Sequence, residues 1–297
     1  MSRRAFTHLP VGPWPRGMAR PARRTDIPPD ALEDAVNVDV RPEGSAATRP
    51  RWSRVAETDG AHSIYEHETG TFAVLDGNVG RLLPDGFEPM MAVPGCISWT
   101  DLAGTPCFAT RDAVWQVVGD TVERLSSEDS PADDYDRDDP LIPMPGGHWL
   151  EYWNGRLVVA RGSTLLFSEP LRYDVHNPMT GYISLGGWIE WMVALEGGLY
   201  VGLADRVLWL AGTQLRDLRV VTVAGRSAPG MALAVPGEVL GAEAPGRFAV
   251  FLTASGFAVG DASGTVTYPQ SDRFNDLPLH RGKLFRDATR IYAVRES

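Results

Sequence analysis

Gly155–Ser168 reads GRLVVARGSTLLFS, and Gly198–Gly212 reads GLYVGLADRVLWLAG. In each, a glycine opens an apolar strand, a short polar turn reverses the chain, and a second apolar strand returns. Leu157 and Val159, like Leu199, Val201 and Leu203, recur at every second position, the period of a strand with two unequal faces. The phrase comes back elsewhere: GTFAVLDGNVGRLL from Gly70, GTPCFATRDAVWQV from Gly104, GRFAVFLTASGFAVGD from Gly246 and GKLFRDATRIYAV from Gly282. A further apolar or aromatic strand precedes most copies, at Ser63–Tyr65, Ile97–Trp99, Trp149–Trp153, Trp191–Val193 and Val239–Leu240.

The first and last opening glycines lie 212 residues apart, about 42 residues per copy. A lone meander of three or four strands leaves one apolar face in water. Setting successive meanders around an axis buries those faces and limits exposed edges. Helical periodicity is nearly absent. The pattern predicts an all-β chain: an irregular β-propeller-like repeat of antiparallel meanders with about 5–6 unequal blades. A β-sandwich of many hairpins is the alternative.

Outside the repeats the sequence changes character. Residues 1–30 carry six prolines and little periodic hydrophobicity, too little apolar surface to fold alone. They read as an extended N-terminal arm, and residues 31–297 as the propeller-like domain. Ala31–Asp34 suggests one helical turn. Val36, Val38 and Val40 then alternate as a half-buried strand, with Arg41–Gly44 as a turn and Ala46–Trp52 as the return. Residues 126–147, SSEDSPADDYDRDDPLIPMPGG, read as an acidic exposed loop insertion, and Glu169–Leu185 as a second insertion.

Charge is unevenly placed. The formal net charge is −10, yet residues 1–24 hold six arginines and no acid, leaving −16 on the rest. An acidic body argues against wrapping nucleic acid, which needs a sustained basic surface. The basic arm suits docking on an acidic neighbour. No apolar run reaches the length of a membrane helix, and the arginine-rich start lacks the apolar core of a secretory signal. Cys96 and Cys107 flank a hairpin, so a disulfide is geometrically conceivable; in a reducing cytoplasm two buried thiols are expected instead, and the sequence leaves this open.

Residue types that carry chemistry are present without their patterns. Asp133, Asp134, Asp136, Asp138 and Asp139 invite a calcium reading, but the glycine and glutamate of an EF-hand loop are missing. They read as a solvated loop. His8, His62, His67, His148, His176 and His280 show no zinc-like spacing. The sequence has no G-x-S-x-G, P-loop or dinucleotide fingerprint and no sialidase-type turn motif. No catalytic, cofactor-binding or metal-binding residue is assigned, no cofactor is expected, and the chain reads as a non-enzyme. Trp149, Trp153, Trp188, Trp191 and Trp209 cluster in the third and fourth copies; they read first as filling between blades, and otherwise as interface or sugar-stacking side chains.

Two stretches carry a resemblance. Gly17–Val55, GMARPARRTDIPPDALEDAVNVDVRPEGSAATRPRWSRV, resembles the opening of many phage virion proteins, in which a partner-binding leader precedes a strand pair. Trp153–Leu185, WNGRLVVARGSTLLFSEPLRYDVHNPMTGYISL, is similar to a segment of phage tail nozzle and hub proteins, where an apolar strand leads to an FSEP turn and an aspartate- and proline-containing loop. The chain thus resembles the structural proteins of tailed-bacteriophage particles. That resemblance implies a multi-copy adaptor or attachment platform in the tail, baseplate or head–tail junction, made in the host cytoplasm. Its partners would be other virion proteins, met through the basic arm and exposed loops, with no membrane insertion. A receptor- or glycan-binding module at the tail tip is the alternative.

Overall fold

Asp76-Gly77, Ala103-Gly104 and Asn154-Gly155 each place two successive residues at positive φ, between 45° and 85°. That is the backbone of a type I′ turn, whose twist matches the strands it joins. Each therefore closes a two-residue hairpin; Gly104 and Gly155, which open copies in the sequence, supply the second positive-φ position in two of them, and Gly77, in the middle of the first copy, supplies it in the third. The computed structural model describes residues 38–40, 46–48, 61–95, 97–126, 141–240, 246–271, 274, 276–286 and 291–295. Its backbone contacts divide the chain into a large unit (54–253, 258–267 and 279–297) and a small one (1–53, 254–257 and 268–278).

The chain is all-β, and five antiparallel sheets make a five-bladed β-propeller. Blade one comprises His62–His67, Gly70–Leu75, Asn78–Leu83 and Gly86–Ala92; blade two, Ser98–Leu102, Thr105–Ala109, Val114–Val118 and Thr121–Arg124. Blade three begins with Trp149–Trp153, Arg156–Arg161, Thr164–Glu169 and Arg172–His176, and gains Ile142–Pro143 and Tyr182–Ser184. Blade four is Ile189–Leu195, Gly198–Leu203, Arg206–Ala211 and Arg219–Gly225; blade five, Ser227–Pro236, Arg247–Thr253, Gly256–Gly260 and Val266–Thr267. The first strands of successive blades lie side by side in chain order, ending with Gly282–Arg286 beside Ser227–Pro236.

Burial follows the same order. Every residue of Gly198–Leu203, the second strand of blade four, is buried, whereas Arg219–Val223 on its outer strand is exposed or only half-buried. Facing sheets supply the core. Trp153, Val158 and Phe167 of blade three meet Met192, Leu199 and Val201 of blade four. Leu150, Leu157 and Val159, on the other face of blade three, meet Cys107 and Val114 of blade two. Alternation in the sequence is thus alternation between two interblade cores. Each such side chain contributes roughly 1.5–3 kcal/mol when fully buried.

Four sequence readings change. The sixth copy is not a blade among the described residues: Gly282–Arg286 pairs only with Ile291–Arg295. Val239–Leu240 is not a strand but part of a 3-10 turn, Gly237–Leu240; the first strand of blade five is Ser227–Pro236. Pro229 and Gly230 fall inside that strand, which absorbs them in a bulge between Ser227 and Ala232. Glu169–Leu185 is no insertion either, because it provides Arg172–His176 as the outer strand and Tyr182–Ser184 as an added one. Within 126–147, Ile142–Pro143 extends blade three by pairing with Val175 and His176. The strand pair near the N-terminus is present, as Val38–Val40 with Ala46–Thr48. Residues 1–30, Ala31–Asp34, Cys96 and Asp133–Asp139 lie outside the described residues.

Candidate functional site

Polar side chains at the blade ends work mainly as clips between neighbours. Arg81 of blade one donates to Asp120 Oδ1 at 2.7 Å and to the Gly119 carbonyl at 2.9 Å in blade two, with its guanidinium over the Phe72 ring. His67 of blade one meets Asp101 of blade two at 2.7 Å. Ser98 and Thr100 of blade two accept from the backbone N–H groups of Leu150 and Tyr152 in blade three. Asn154 Nδ2 reaches from the first hairpin of blade three to the carbonyls of Glu196 and Thr213 in blade four, 3.3 Å each. Trp191 of blade four donates to Ser227 Oγ of blade five at 3.0 Å.

Where the hairpins of blades three, four and five converge, they leave an open cleft of about 580 Å³. Tyr152 and Phe248 give it aromatic surface, and Asn154, Glu196, Arg247 and Asp261 give it polar groups. Tyr152 is 41% exposed, and Arg247, Asn154 and Glu196 are exposed too. Buried Trp153 forms part of the wall, and its indole N–H has no hydrogen-bond partner among the described residues. Asp261 is held in a tight loop, accepting from the Ser263 N–H (2.8 Å), the Ser263 hydroxyl (2.7 Å) and the Thr265 N–H (3.0 Å). Burial alone would push its carboxyl up, but these donors prevail and hold it below the ordinary value.

Behind the cleft, Glu151 lies half-buried between blades three and four. Burial pushes its carboxyl up to about 7; the Trp149 indole N–H, the charge of Arg247 and the Ala194 N–H act in the opposite direction and only partly offset it. Tyr65 of blade one feels the charges of Asp101, Glu151 and Arg247, which belong to blades two, three and five; burial is the first cause of its raised value. Tyr200 Oη donates to the Asp261 carbonyl at 2.9 Å and is likewise raised by burial.

The residues singled out in the sequence scatter. His62 bonds the adjacent Ser63 hydroxyl, His148 donates to the Ile189 carbonyl and stacks on Trp188, and His176 pairs with the Phe167 carbonyl. His280 is exposed, and His8 lies outside the described residues. No group of three metal-ligating side chains gathers among the described residues. Cys107 is a free, buried thiol pushed up to about 12 by burial and then by Asp101, which keeps it inert. Trp153, Trp191 and Trp209 fill space inside and between blades, whereas Trp188 is 54% exposed and Trp149 stacks beneath Lys283. The cleft residues do not stand out in the sequence because Tyr152 and Arg247 lie in strands of two blades and Glu196 and Asp261 in two separate turns. Among the described residues no helix is long and apolar enough to cross a membrane.

No family model and no curated protein matches the chain. Solved structures do match by shape. The extracellular domain of a putative hybrid two-component system from B. thetaiotaomicron superposes with a TM-score of 0.51 at 8% identity, covering 84% of this chain and 33% of that one. The extracellular domain of a putative one-component system from the same organism gives 0.50 at 8% identity, with 78% and 31% covered. This chain spans about a third of the length of both. Identity this low shows a shared fold alone.

Proposed function

We propose that the chain is a non-catalytic structural subunit of a tailed-bacteriophage particle, a rigid adaptor or attachment platform held in several copies in the tail, baseplate or head–tail junction. The observation that carries the reading is the use of polar side chains as blade-to-blade clips: Arg81–Asp120, His67–Asp101, Asn154–Glu196 and Trp191–Ser227 tie successive sheets together. Such groups make a stiff body rather than a reaction centre. The resemblance of Gly17–Val55 and Trp153–Leu185 to virion proteins supports the particle assignment, and the contrast between a +6 arm and a −16 remainder supports docking of one subunit on the next.

The test is incorporation. The intact chain should co-purify with density-banded particles in more than one copy, and a chain lacking residues 1–24 should be made in soluble form but be lost from them. Particles that band without the intact chain, or that take up the truncated chain equally well, would overturn the reading.

A further inference from the structure

We propose that the cleft at the converging hairpins of blades three, four and five binds a neutral saccharide. The proposal rests on the cleft itself and holds wherever the chain resides. At about 580 Å³ the cleft has the size of a small-ligand site. Its aromatic surface comes from the exposed Tyr152 ring and from Phe248, and flat rings of this kind pack against the C–H faces of sugar rings. Around them stand groups of both hydrogen-bonding senses. Arg247 only donates, Glu196 and Asp261 accept, and Asn154 can do both. A hydroxyl donates and accepts at once, so a polyol satisfies such a mixed ring of partners.

The charge balance selects among saccharides. Arg247 is the cation of the lining, and Glu196 and Asp261 face it across the same space. With one guanidinium against two carboxylates the lining is net negative, so an anionic sugar is disfavoured, whereas a neutral sugar brings no charge of its own and can use all three groups as hydrogen-bond partners. The Asp261 carboxylate is already fixed by Ser263 and Thr265, so it is a pre-placed acceptor that loses little freedom on binding. Asn154 is also fixed, since its Nδ2 bonds the Glu196 and Thr213 carbonyls while Oδ1 takes no part in those bonds.

The test uses the purified full chain on an array of neutral, anionic and cationic oligosaccharides, followed by calorimetric titration of the best ligand. The proposal requires that a neutral saccharide be retained, and that Tyr152→Ala and Arg247→Ala each weaken it about tenfold, as expected for one lost contact. Tyr152 also packs edge-on against Tyr173 and Arg247 lies within charge range of Glu151, so each variant is titrated well below its own thermal melt and the loss of affinity is read on folded protein. Retention of charged glycans only, retention of none, or binding indifferent to both substitutions would overturn it. Since particle incorporation is a separate measurement, failure here leaves the adaptor reading standing.

Discussion

Trp191 shows how tightly single side chains are fitted. It is fully buried, donates to Ser227, packs on Phe251, and leaves Gly202 no room: a Cβ there would come within 2.2 Å of the indole. Trp191→Ala should therefore cost about 3–5 kcal/mol in urea unfolding, and Gly202→Ala about 1–3 kcal/mol through overpacking. A loss below 1 kcal/mol for both would mean the blade four–five contact is looser than described. Glu151 makes a pH prediction. Its carboxyl rises from 4.5 to about 7 on folding, so the folded chain holds a proton that the unfolded chain has released. Stability is then full below pH 4.5, falls as pH climbs toward 7, and levels off above. The drop is about 1–2 kcal/mol, below the full conversion of the shift because part of the residue touches solvent. Glu151→Gln should flatten that segment of the profile and raise stability at pH 8; an unchanged slope would remove Glu151 as its source.

Hairpins are the elements whose chemistry is most open to adjustment. Asp76 and Asn154 suit the first position of their type I′ turns, but Ala103 occupies the same position at φ 52°, where its Cβ is crowded. Ala103→Asn should raise stability by about 1 kcal/mol in thermal unfolding, and a neutral or negative effect would contradict the turn assignment. Arg81→Lys should cost about 1 kcal/mol, because ammonium cannot span the Asp120 carboxylate and the Gly119 carbonyl as the guanidinium fork does. Elements were also where the sequence spoke most clearly. The glycines of Ala103-Gly104 and Asn154-Gly155 stand out because a tight hairpin needs them, and Leu199, Val201 and Leu203 stand out because they fill one core while Tyr200 between them turns to another. Ser227–Pro236 was missed because its proline and glycine mimic a turn until a neighbouring strand accommodates them. The cleft was illegible for a different reason: Tyr152 and Asp261 are more than a hundred residues apart, and only the stacking of whole blades brings them to one place.

At the scale of the molecule, the five sheets divide the work. Blades one and two contribute a stacked aromatic core, with the Tyr65 and Trp99 rings nearly parallel at 5.4 Å, while blades three and four share a broad buried cluster and, with blade five, frame the cleft. Residues 1–24 carry +6 and the remainder −16, so the proposed docking through these residues should weaken with salt as screening grows. Incorporation of the chain into particles assembled in vitro should accordingly fall between 50 mM and 500 mM salt; an increase would point to apolar docking instead. The most direct measurement is a cryo-EM reconstruction of the intact particle. The account predicts a ring of five-bladed propellers repeated around the tail axis, each with its N-terminal arm laid on the neighbouring copy. A particle whose tail and head–tail junction contain no such density would contradict it.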